Sequence, residues 1–207
     1  MSSSNPIVFV VDDDPSVRGA LSNLLDSVGL AAQTFESSEE FLTFTRPEVP
    51  SCLILDAKLP GMSGPDFQDE LRRKGIQIPI IFITAHGDVP MTRRVMKAGA
   101  IELLTKPFQK GELLGAIQQA VDTDRRRREE QEALSVLLRR YQRLTTRERE
   151  VLGLVTAGLM NKEIAAQLGL SEITVKIHRR QVMTKMEAGS FAELVRMADK
   201  VKAQSRS

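Results

Sequence analysis

Three observations predict a doubly wound α/β domain over residues 6–121 and a small all-α domain over residues 144–207, joined by a charged helical linker over residues 122–143. Short β-rich runs alternate with amphipathic helices as far as Val121, the pattern of βαβ units on a parallel sheet. Asp122 to Glu132 then contains no large apolar residue. From Leu144 on, four helices can be placed by their capping signals.

Ile7-Val11 is the first strand. Asp14 is placed to cap the helix after it and Pro15 sits in its first turn. Val17, Leu21, Leu24, Leu25 and Val28 form its apolar stripe, and Gly29 ends it. Strands are expected near Leu30-Phe35, Cys52-Leu55, Ile80-Ile83 and Glu102-Leu104, with helices near Ser38-Thr45, Pro65-Lys74, Val89-Ala98 and Gly111-Val121. In the linker, Arg125 with Glu129 and Arg126 with Glu130 are spaced i,i+4, which favours a solvated helix. Leu134, Leu137, Leu138 and Tyr141 then make an apolar stripe that must pack on the C-terminal domain or on a second copy of itself. Thr145 with Glu148 forms a capping box for the next helix, Asn161 caps the second, Ser171 the third, and Ser190 with Glu193 the fourth.

Charge is unevenly divided. Residues 1–122 carry 11 Lys and Arg against 16 Asp and Glu, and residues 123–207 carry 18 against 11. An acidic half suited to metal and a basic half suited to a polyanion are implied. The longest apolar runs fall far short of the roughly 18 residues a membrane span needs, so no membrane partner is expected. The start, Met1 to Pro6, lacks the pattern of a secretory signal, and the lone Cys52 has no internal disulfide partner. Both fit a reducing cytoplasm.

The chemistry gathers at strand ends. Asp12 and Asp13 follow the first strand, Asp56 the third, Thr84 the fourth, and Lys106 the fifth. Polar groups at one edge of a parallel sheet make a reaction site. Three crowded carboxylates are unfavourable without a cation, and hard oxygen donors select Mg²⁺, with Mn²⁺ as the substitute. Lys106 and the Thr84 hydroxyl are suited to holding phosphoryl oxygens. His86, two residues past Thr84, reads as a loop histidine rather than a catalytic one.

With these residues in place, residues 6–121 resemble the receiver domain of two-component response regulators, which has a flavodoxin-like fold. The matching stretches are Val10-Val11-Asp12-Asp13-Asp14, Leu55-Asp56, Leu59-Pro60-Gly61-Met62-Ser63-Gly64, Thr84-Ala85-His86-Gly87-Asp88, Ala98-Gly99-Ala100 and Lys106-Pro107-Phe108. The resemblance implies that Asp56 accepts a phosphoryl group from a sensor histidine kinase. It further implies that Asp13, Asp12 and the Lys58 backbone carbonyl complete the Mg²⁺ ligands, and that the Lys106-Pro107 bond is cis. One departure is Leu103. It stands where the family's switch pairs an aromatic residue with the threonine, here Thr84, so the usual coupling is not expected in its usual form.

In the basic half, Ile164 to Val175 has the small residue and the Gly169 turn that a helix-turn-helix requires. Projecting Glu172 to Met186 at helical spacing turns Val175, Val182 and Met186 inward, with His178 beside them. Ile173, Lys176, Ile177, Arg180 and Thr184 fall on the opposite face, bases interleaved with apolar residues as a DNA major groove would accept. Leu144-Thr145-Thr146-Arg147-Glu148, Gly158 to Ala165 and Thr174 to His178 are similar to the C-terminal domain of the LuxR/NarL/FixJ family. That resemblance places Lys176, Ile177 and Arg180 at base-contacting positions, with Thr174 and Arg179 alongside them at the DNA.

The combination implies a phosphorylation-dependent transcriptional regulator that dimerises through the helix after Asp88, the last strand and the helix before Val121, and binds duplex DNA. RNA polymerase is a further partner this allows. No enzymatic activity beyond its own phosphoryl transfer and autodephosphorylation is expected. The competing reading is a haloacid-dehalogenase-like phosphatase fused to a basic helical domain, since Asp12-Asp13-Asp14 resembles its nucleophile motif. That enzyme needs paired acids after its fourth strand, where Asp88 is followed by Val89, Pro90 and Met91, and it leaves Asp56 unexplained.

Overall fold

A computed structural model describes residues 5–85 and 87–204, and separates the chain into a unit ending at Arg128 and a unit beginning at Glu129. In the first unit, strands β1 (Ile7–Val11), β2 (Ala31–Phe35), β3 (Ser51–Asp56), β4 (Ile80–Thr84) and β5 (Glu102–Thr105) form one parallel sheet in the order β2-β1-β3-β4-β5. The order reverses between β1 and β3. A crevice opens at such a reversal outside the carboxyl ends of the strands.

Alternation along each strand sorts the core into two faces. Phe9, Val11, Leu53, Leu55 and Phe82 meet Phe41 of α2 (Ser38–Thr43), Phe67 and Leu71 of α3 (Gly64–Arg73) and Val95 of α4 (Val89–Lys97). Val8, Val10, Ile54, Ile81 and Ile83 meet Leu21 and Leu25 of α1 (Pro15–Asp26) and Leu113, Ile117 and Val121 of α5 (Lys110–Gln142). The helices start where their capping residues lie: Asp14, Ser37, Ser63 and Asp88 each accept a backbone N–H in the first turn. Cys52 is wholly buried, which pushes its thiol pKa up to about 12 and leaves it an unreactive core group.

The expected helix over the linker forms, but α5 is one element from residue 110 to residue 142 and its middle is not simply solvated. Asp124 is fully buried. It accepts from the backbone N–H of Ser51 at 3.0 Å, from Arg127 at 2.6 and 3.1 Å and from Arg128 at 2.7 Å. The strand-rich core thus extends its hold to residue 124.

The second unit contains the last part of α5 with α6 (Thr146–Thr156), α7 (Asn161–Leu168), α8 (Glu172–Met186) and α9 (Phe191–Gln204). Leu137, with Leu138 and Tyr141 beside it, packs on Val151, Val155, Ile164, Val175, Val182 and Leu194, so the stripe covers the helices of this unit. Thr145 and Glu148 form the expected capping box. Asn161 does not cap α7. It is the first helical residue, Met160 precedes it as N-cap, and the Met160 N–H donates to Glu163 Oε2 at 2.6 Å. The Asn161 side chain accepts instead from Arg179 at 2.7 Å.

Candidate functional site

The five strand-end groups converge. One carboxylate oxygen from each of Asp12, Asp13 and Asp56 lies within 4.8 Å of the others. Asp12 is fully buried, Asp56 half-buried and Asp13 exposed, so the cluster opens outward at Asp13. Both oxygens of Asp12 are engaged: Oδ1 accepts the Asp14 N–H at 2.9 Å and Oδ2 accepts Lys106 Nζ at 3.0 Å. The peptide bond between Lys106 and Pro107 is cis. Thr84 is buried at the end of β4, where its carbonyl accepts the Lys106 N–H at 2.7 Å.

Burial pushes the Asp56 carboxyl above the usual carboxylate range. The Lys106 ammonium opposes that shift, Asp12 adds to it, the Lys58 backbone N–H opposes it, and Asp13 adds to it again. Three hard oxygen donors within reach of one another, with Lys106 the one cation paired to them among the described residues, fit a divalent cation such as Mg²⁺.

The β3 to α3 connection is tight. A Cβ on Gly64 would stand 2.6 Å from the Asp56 carbonyl oxygen and 2.9 Å from the Ala57 Cα, so only glycine lets this loop close over the end of β3. Leu103 is partly buried against the sheet core, and its Cδ2 lies 3.3 Å from where a Cβ on Gly87 would be, with the Thr84 methyl at 3.5 Å from the same point. Leu103 and Thr84 therefore both border the space beside Gly87. Lys58 is exposed beside Asp56. His86 lies outside the described residues.

In the second unit α8 presents the expected two faces. Val175, Val182 and Met186 are buried, whereas Ile173 is 71% and Ile177 55% exposed, with Lys176, Arg180 and Thr184 exposed among them. Arg179 is occupied elsewhere, bonding Asn161 and lying 5.8 Å from the centre of the Phe191 ring. Thr174 is half-buried, its hydroxyl 2.8 Å from that of the capping Ser171. Lys176, Ile177 and Arg180 are brought to one surface, and Arg179 and Thr174 are drawn toward the protein.

The comparisons decide the family. Residues 8–118 match the family model for the response regulator receiver domain, and residues 142–198 match that for bacterial regulatory proteins of the luxR family. The chain belongs to the LuxR/FixJ-type response regulators. It is 54% identical to Nodulation protein W of Bradyrhizobium diazoefficiens over 96% of this chain and 87% of that protein. It is 41% identical to Transcriptional regulatory protein FixJ of Rhizobium meliloti over 92% of this chain and 94% of that one. A solved structure of the response regulator StyR superposes with a TM-score of 0.85 at 50% identity, over 95% of this chain and all of that one. This regulator therefore takes its signal through a receiver domain, which implies a kinase partner, and acts on transcription through a DNA-binding domain. No helix among the described residues is long and apolar enough to cross a membrane.

Sequence reasoning missed three groups that shape these sites. Arg18 donates from one guanidinium nitrogen to the carbonyls of Asp12 at 2.7 Å and Asp13 at 2.9 Å. Asp124 sits in a stretch that reads as solvated. Lys185, on the last turn of α8, donates to both oxygens of Glu148 at 2.8 and 2.7 Å, joining α8 to the start of α6. For Arg18 the signal was its place in the first turn of a helix that follows three consecutive acidic residues. The other two are tertiary pairings across long sequence distance.

Proposed function

We propose that this regulator stores its signal as a phosphoryl group on Asp56, and that the phosphorylated chains dimerise and bind a promoter through the exposed face of α8. The observation that carries the reading is the convergence of Asp12, Asp13, Asp56, Thr84 and Lys106 at one end of the sheet. In the transfer, a carboxylate oxygen of Asp56 attacks phosphorus of a phosphohistidine on the kinase. The N–P bond breaks as the acyl phosphate forms, and water later cleaves that bond to return the carboxylate and inorganic phosphate.

Asp12, Asp13, Asp56 and the Lys58 carbonyl would hold the cation. Bound there, Mg²⁺, or Mn²⁺ in its place, would neutralise charge on the carboxylates and on the incoming phosphoryl oxygens. Lys106, held now by Asp12, supplies a mobile ammonium for a second phosphoryl oxygen, and the Thr84 hydroxyl donates to a third. Thr84 moving toward the phosphoryl group frees space for Leu103, which couples the site to β5 and α4 without an aromatic ring. Val89, 70% exposed, and Met96, 40% exposed, give α4 the apolar surface a dimer would cover.

Two copies bring two α8 helices to DNA, with Lys176, Ile177 and Arg180 reaching base edges. Arg179 and Thr174 support that face from beside it, and RNA polymerase meets the assembled dimer in the cytoplasm. The test is labelling by acetyl phosphate with Mg²⁺, read by mass spectrometry of the intact chain. One phosphoryl group is expected on the wild type and none on Asp56→Asn. Persistent labelling of the variant at another aspartate would refute the site.

A further inference from the structure

We infer that Arg18 is a positioning residue for the acidic pocket, fixing the backbone that carries Asp12 and Asp13 so that their carboxylates are spaced for a divalent cation before it arrives. This inference rests on the reading of that pocket as a cation site. Arg18 closes the first turn of α1, and one of its terminal nitrogens donates to two consecutive carbonyls, those of Asp12 at 2.7 Å and Asp13 at 2.9 Å. The same junction is tied from within by the Asp14 N–H on Asp12 Oδ1 at 2.9 Å, and Asp14 itself caps α1 by accepting the Ser16 N–H at 2.8 Å. Among the described residues no carboxylate forms an ion pair with Arg18, and both bonds from its Nη1 go to backbone carbonyls.

Two physical effects of Arg18 on a cation have opposite signs, which makes the role decidable. A positive charge beside a cation site opposes metal binding by Coulomb repulsion, so removing it should tighten the site. Holding two carbonyls of the ligand-bearing loop lowers the ordering that binding demands, so removing it should loosen the site. The geometry favours the second effect. Both bonds go to the backbone of the ligand residues themselves, while the guanidinium faces the carbonyls rather than the carboxylates.

The experiment is titration of the full-length chain with Mn²⁺, free Mn²⁺ being followed by electron paramagnetic resonance, with Mg²⁺ as competitor. Arg18→Gln should bind Mn²⁺ about tenfold more weakly than wild type, the loss typical when a group orienting metal ligands is removed. Arg18→Lys, which retains a donor but not the planar fork, should recover part of that loss. The rate of Asp56 labelling in Arg18→Gln should return to the wild-type rate once Mg²⁺ is raised in proportion. Mn²⁺ binding in Arg18→Gln that is unchanged or tighter would overturn the inference, including when the variant melts at a lower temperature. An Asp13→Asn control separates the two claims: if it leaves wild-type Mn²⁺ binding intact, the pocket itself is misread. If it weakens binding while Arg18→Gln does not, only the role of Arg18 fails.

Discussion

Glu148→Ala should be among the most damaging single changes in the DNA-binding unit. The Glu148 side chain is only 6% exposed, receives both bonds from Lys185, and accepts the Thr145 N–H at 2.7 Å as half of the α6 capping box. Breaking a buried ion pair costs about 3–5 kcal/mol because the surviving charge is stranded. Lys185 is 28% exposed and can turn partly to water, which discounts that figure. Adding about 1 kcal/mol for the lost cap, we expect a net loss of about 3 kcal/mol. For a unit of this size that lowers the melting temperature by about 15 °C. The assay is built into the sequence: the chain has one tyrosine and no tryptophan, and Tyr141 packs on the core of the second unit. Tyrosine fluorescence of the full chain during urea unfolding therefore reports that unit alone. A loss below about 1 kcal/mol would show that the pair is too well solvated to carry the argument. The pH dependence has a definite sign. Burial alone would raise the Glu148 carboxyl, but Lys185 and the N–H and hydroxyl of Thr145 outweigh it and hold it below its ordinary value of 4.5. The ionised form is thus favoured by the fold, and its contribution is complete above about pH 4.5 and lost as pH falls through the depressed folded value. In Glu148→Gln that acid-induced loss should be absent.

Other outcomes follow from the same geometry. Lys176→Ala should weaken promoter binding about tenfold if it reads a base, or lower the slope of log K against log salt by about 1 if it contacts a phosphate; a titration at several salt concentrations distinguishes the two. Asp124→Ala removes the carboxylate that Arg127 and Arg128 share and the acceptor of the Ser51 N–H, while both arginines keep access to water, so the first unit should lose about 2 kcal/mol and trypsin should cut faster within Arg125 to Arg128. Gly64→Ala forces a methyl to 2.6 Å from the Asp56 carbonyl, and should slow Asp56 labelling while costing about 1–3 kcal/mol in thermal unfolding.

How much of this was legible in the sequence follows from the range of the interactions. The sheet was readable because Val8 and Val10 face one side and Phe9 and Val11 the other, a period of two inside a run bounded by turn residues. The acidic pocket was readable because each member sits at the end of such a run. The two faces of α8 were readable from helical spacing alone, and the burial of Val175, Val182 and Met186 matches it. What was not legible depends on partners far along the chain. Asp124 reads as one more solvated charge until Ser51 is placed against it, 73 residues away. Arg179 reads as one base among several until Asn161 and Phe191 claim it. Asn161 itself has the composition of a cap, but the bond from the Met160 N–H to Glu163 starts the helix one residue earlier.

The most direct test of the account is the affinity of the full-length regulator for promoter DNA before and after acetyl phosphate with Mg²⁺, in wild type and in Asp56→Asn. Fluorescence anisotropy should show tighter, dimeric binding by the phosphorylated wild type and no change in the variant. Equal affinity in all four samples would break the link between the carboxylate of one unit and the recognition helix of the other.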